Sequence, residues 1–119
     1  MILILFMSCA TRSVKSEFGF ANMMAKNELW KEAQLRWEKL IPKMDKSAKL
    51  YNNLAIAYEI QGEFKKAESA YKTALKLAPK NSYIKDNYDR FLGKKKRKPA
   101  KKKGPGSKDM RKRGKSDEN

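Results

Sequence analysis

The sequence predicts an all-α fold: a short solenoid of helical hairpins, about two units and a capping helix, followed by a disordered basic tail. Two observations carry this expectation. Matched residues recur at an interval of 34: Phe20 and Leu54, Ala21 and Ala55, Met24 and Tyr58, Trp30 and Phe64, Ala33 and Ala67, Trp37 and Tyr71. A fixed period of about 34 residues marks a helix–turn–helix repeat, in which each unit buries its apolar face on the next. Charge marks the other boundary. Residues 94–119 hold ten Lys and three Arg against Asp109, Asp117 and Glu118, which is +10 of the chain's net +16.

The elements follow in order. A first helix is expected from about Glu17 to Lys26, with Phe18, Phe20, Ala21, Met24 and Ala25 apolar and Gly19 interrupting it. A second runs from about Glu28 to Ile41, where Trp30, Ala33, Trp37, Leu40 and Ile41 recur at helical spacing. Asn27 is suited to the tight turn between them, since Glu28 stands where the next unit has Gly62. Pro42 should stop the second helix, because proline lacks a donor and restricts the residue before it. Ser47 is a good N-cap for the third helix, which carries Leu50, Tyr51, Leu54, Ala55, Tyr58 and Ile60. Gly62 can take the left-handed conformation that a helix end requires. The fourth helix shows Phe64, Ala67, Tyr71, Ala74, Leu75 and Ala78 on one stripe and ends before Pro79. Asn81 offers the capping chemistry of Ser47 to a fifth helix, from about Ser82 to Leu92, whose polar face lets the stack end in water. Trp30, Trp37, Tyr58, Phe64 and Tyr71 all sit on stripes that must be buried, so they read as core. Gly93 should close the ordered part. Past it, like charges repel and little apolar surface offsets the ordering entropy.

Composition narrows the function. The chain has no histidine, the commonest general base and metal ligand, and its one cysteine, Cys9, excludes an internal disulfide or a cysteine-based zinc cluster. We therefore expect no catalytic residues, no metal site, no cofactor and no enzymatic activity. Residues 1–16 form an anchor-like segment and tether. Met1 to Met7 is apolar and ends at Ser8-Cys9-Ala10, far below the roughly 20 residues a membrane-spanning helix needs. Phe6-Met7-Ser8-Cys9 resembles the lipobox of bacterial lipoproteins, in which the cysteine is acylated. Phe6 and Met7 depart from its usual residues, and no basic residue precedes the apolar run.

Tyr51-Asn-Asn-Leu54-Ala55-Ile-Ala-Tyr58, with Gly62, Phe64, Ala67, Tyr71, Ala74 and Pro79, resembles a tetratricopeptide repeat. The likeness is strong over 48–81, weaker in the preceding unit and limited to a leading helix in the third. The domain it implies spans residues 17–93. The resemblance implies a concave face, lined by the first helix of each unit, that holds an extended peptide or a partner helix. On this chain the face would comprise Asn22, Lys26, Lys49, Asn52, Asn53, Ile56, Glu59, Ile60, Asn87 and Arg90. Asn22 and Asn53 match the asparagines with which chaperone-binding members grip a terminal carboxylate. Phe18, Tyr83 and Asn87 stand where those members carry cations, and without such cations the charge-assisted bonds are missing. Alternatively, Asn53 bonds neighbouring backbone.

The expected role is a protein–protein adaptor, tethered to a bacterial envelope membrane through Cys9, with the basic tail adding attraction to anionic lipid. Two alternatives stand beside it. One is a soluble cytoplasmic or nuclear repeat protein whose tail (Lys94 to Pro99 resembles a nuclear import signal) binds nucleic acid or ribosomes, nonspecifically and with strong salt dependence. The other is an assembly subunit that homodimerises through its incomplete stack.

Overall fold

The computed structural model describes residues 13–97, which form five α-helices and no strand. They are α1 (Val14–Lys26), α2 (Trp30–Met44), α3 (Ala48–Ile60), α4 (Phe64–Leu77) and α5 (Ser82–Lys96). The 34-residue period is written into the backbone. Ser13, Ser47 and Asn81 cap α1, α3 and α5, and each side chain accepts the backbone N–H three residues on, at 3.2 Å. The two hairpin turns also match. Gly62 has φ +77°, and Glu28, 34 residues earlier, adopts φ +62° despite its side chain. Asn27 is not the left-handed residue. It stays at φ −91° and its side-chain amide donates to the Met23 carbonyl.

Small residues let the helices approach. Ala21, Ala33, Ala55 and Ala67 are fully inaccessible, and Trp37, Leu54, Tyr71 and Phe91 fill the spaces between them. Burying a side chain such as Leu54 or Phe91 contributes about 1.5–3 kcal/mol. Tyr71 also holds α5: its ring lies 5.6 Å from Tyr88 and 5.4 Å from Phe91, centroid to centroid. Polar bonds join the first hairpin to the second. Gln34 Nε2 and Tyr58 Oη both donate to Glu38 Oε1 at 2.8 Å, and Gln61 donates to Gln34 Oε1. Burial, with Glu38 close by, raises the Tyr58 hydroxyl above the usual tyrosine range, so it remains a donor.

Several boundaries differ from expectation. Ser13 caps a helix that begins at Val14, so the supposed tether is partly helical. Gly19 lies within α1 without interrupting it. Pro42 lies inside α2, which ends two residues later at Met44. Phe64 is 37% exposed, and Trp30 and Tyr58 are only partly buried, so the aromatic stripe is not wholly core. Most consequentially, α5 runs through Gly93 to Lys96. Lys94 pairs with Glu59 of α3 at 3.1 Å and Lys95 pairs with Glu68 of α4, which draws the start of the basic run onto the fold. Cys9 and the tail beyond Arg97 lie outside the described residues.

Each helix packs on the next, and the connections are short. Consecutive helices are therefore antiparallel. The start of α1, the α2–α3 connection and the α4–α5 connection share one end, while the end of α5 lies at the other.

Candidate docking groove

The ten residues expected on one concave face separate into distinct environments. Asn22 and Lys26 of α1, and Lys49, Asn53 and Ile56 of α3, line a cavity of about 430 Å³. Ala25, Trp30, Trp37 and Tyr83 complete its wall, bringing α2 and the start of α5 into the site. Asn53 Nδ2 donates to Asn22 Oδ1 at 3.0 Å, so this pair bridges α1 and α3 across the cavity wall. That contact answers the alternative in which Asn53 would bond neighbouring backbone.

Asn52 and Asn87 do not line that cavity; Asn52 borders a separate one of about 270 Å³ with Lys49, Asn53, Asn81, Tyr83 and Ile84. Both are buried, and Asn87 Nδ2 donates to Asn52 Oδ1 at 3.1 Å, joining α5 to α3. Arg90 donates to Asn87 Oδ1 at 3.2 Å and so braces this pair. Glu59 is also engaged, accepting from the Tyr71 hydroxyl at 3.0 Å and from Lys94. The carboxylate and burial together push the Tyr71 hydroxyl above its ordinary range. Ile60 is 51% exposed but lines, with Glu59, Phe64, Phe91, Lys94 and Lys95, a separate cavity of about 240 Å³ at the far end. Ile56 and Ile60, one turn apart on α3, are thus divided between two sites.

The larger cavity is chemically one-sided. Its walls carry two lysines and no carboxylate. The Trp37 indole N–H is buried and has no hydrogen-bond acceptor among the described residues. An unpaired buried donor costs about 1–3 kcal/mol. Trp30 and Tyr83 add aromatic surface, and Lys49 Nζ also lies 5.7 Å from the Phe18 ring centroid. Helical periodicity assigned Trp30 and Trp37 to the core, so the cavity they border was not legible in the sequence. Among the described residues no cluster of His, Cys, Asp and Glu could hold a metal ion. Nor is any described helix long and apolar enough to cross a membrane.

Residues 20–100 match the family described as a domain of unknown function, DUF6340. The chain belongs to that family. Its matched region takes in all of the groove residues and nearly all of the helical domain. No curated protein matches the sequence.

Proposed function

We propose that this protein is a docking adaptor, a short helical-repeat module of tetratricopeptide type that holds a segment of another protein in the cavity between α1 and α3. The observation that carries the reading is the wall chemistry: an aliphatic Ile56, aromatic Trp30 and Tyr83, and Lys26 and Lys49 without a lining carboxylate. Such walls suit an extended segment with apolar side chains and an acidic or carbonyl acceptor among them. The recurrence of caps and turns at 34 residues supports the repeat reading. Tethering to a membrane through acylated Cys9 belongs to the same proposal and rests on the Ser8-Cys9 motif.

Selection from a displayed random-peptide library tests the groove. The full chain should enrich sequences combining apolar and acidic residues. Ile56→Asp and Lys49→Glu should each lose them while keeping the helical circular-dichroism signal; Lys49 is exposed, so its replacement spares the core. Enrichment that survives both substitutions, or no enrichment at all, overturns the proposal.

A further inference from the structure

The two ends of the helical domain differ in how their lysines are paired and in what leaves them. The end shared by the α2–α3 and α4–α5 connections bears Lys15, Lys43, Lys46, Lys76 and Lys80, all exposed and none with a carboxylate partner among the described residues. The acids near them are Asp45, in the α2–α3 connection, Asp86 of α5, and Glu17, which is held by Arg36 at 3.3 Å. At the opposite end, Lys31, Lys66, Lys94 and Lys95 are each paired with Glu59, Glu63 or Glu68, while Lys65, Lys96 and Arg97 carry no ion pair among the described residues. The basic end also exposes apolar surface: Leu77 is 38% and Tyr83 66% accessible.

Chain connectivity gives this end a particular neighbour. Ser13, the cap of α1, sits there, so the apolar run Met1–Met7 and Cys9 depart from it. Cys9 is four residues before Ser13, a reach of at most about 14 Å when fully extended. Anything that places Cys9 in a bilayer keeps Ser13 within that reach of it, which is on the order of one to two of the ~8–10 Å lengths over which salt screens a charged surface. The basic tail, by contrast, leaves from the far end of α5.

We infer that this lysine-bearing end is a docking face for anionic phospholipid, set against the membrane by the segment that precedes α1. Long lysine side chains reach the headgroups, while Tyr83 and Leu77 offer the mixed aromatic and apolar surface suited to a bilayer interface. The protein then stands with its helix axes steeply inclined to the membrane, and Lys96, where α5 ends, lies on the side away from it. The inference rests on the membrane-tether part of the function proposed above, and the test separates the two.

The test uses the full chain with Cys9→Ser, so that acylation cannot contribute, in flotation with phosphatidylcholine vesicles containing or lacking phosphatidylglycerol. Lys43→Gln, Lys46→Gln and Lys80→Gln together should weaken binding to the anionic vesicles by on the order of a hundredfold, about fivefold per charge. Lys101→Gln, Lys102→Gln and Lys103→Gln, the same charge change in the tail, should weaken it far less. Equal losses in the two triple variants, or a larger loss from the tail variant, overturn the inference. So does a loss of RNA retention, in a filter-binding assay on the end variant, that exceeds its loss of vesicle binding. Fatty-acid labelling of wild type against Cys9→Ser reads the tether independently. No labelling alongside lysine-dependent vesicle binding defeats the tether and leaves the docking face standing.

Discussion

The buried Asn52–Asn87 bond offers the sharpest test of how α5 is held. Asn52 is 3% and Asn87 4% exposed, and their amides meet at 3.1 Å. Asn52→Leu removes the acceptor and strands the Asn87 amide N–H in the core. Leaving one such group unsatisfied costs about 1–3 kcal/mol, whereas replacing both partners with apolar groups of similar shape is nearly neutral. For a domain of this size each kcal/mol shifts Tm by about 4–8 °C. Asn52→Leu should therefore lower Tm by roughly 4–24 °C. Asn87→Leu should do the same, because it orphans Asn52 Oδ1 and frees Arg90 from its acceptor. The double variant should recover most of the loss. Thermal unfolding followed by circular dichroism gives all four corners of the cycle. Additive single losses, with coupling below about 0.5 kcal/mol, would refute the claim that these residues act as a pair.

Four further outcomes are expected. Glu28→Gly should raise Tm, because φ +62° costs an L-residue about 1–2 kcal/mol that glycine avoids. Gly62→Ala should lower Tm by a similar amount through strain alone, since a Cβ there meets no atom within 4 Å; opposite signs from these predictions would contradict the turn assignment. Lys95→Gln should raise the pKa of Glu68, whose carboxyl is held at about 2 by its bonds to Lys95 first and then Lys72. A depressed carboxyl stabilises the fold above its unfolded value near 4.5 and loses that contribution as pH falls toward 2, so the wild-type tie between Glu68 and the end of α5 should weaken over that range, while the variant lacks it at every pH. Carboxyl-carbon NMR titration reads the change, and an unmoved midpoint refutes the assignment. Ala67→Trp should destabilise the domain by about 1–3 kcal/mol or more, since Ala67 has no accessible surface; an unchanged midpoint would contradict the close helix approach there.

Local patterns were enough to find the helices, because each start signal acts within a few residues: Ser47 and Asn81 accept bonds from N–H groups three positions on. The same holds for the small residues at Ala21, Ala33, Ala55 and Ala67, whose spacing alone marks where helices must nest. Ser13 caps α1 by the same chemistry and at the same interval, so the earlier start of that helix was also legible. The extension of α5 was not. Lys94 and Lys95 remain helical against partners 35 and 27 residues away, and a run of lysines read alone signals only repulsion.

The groove shows the same division. Helical spacing brought Asn22, Lys26, Lys49, Asn53 and Ile56 to one side of the stack, and all five line the cavity. Tertiary contacts decided the rest, turning Asn52 and Asn87 inward on each other, tying Glu59 to Tyr71 and Lys94, and opening a wall of Trp30, Trp37 and Tyr83. Periodicity specifies which face of a helix is buried. Whether a polar residue at the edge of that face meets solvent or a partner depends on a second helix arriving from elsewhere in the chain. The sequence by itself thus determined the all-α fold and its caps; only the packing of α3 against α1 and α5 decided which side chains are tied to one another and which line the cavity.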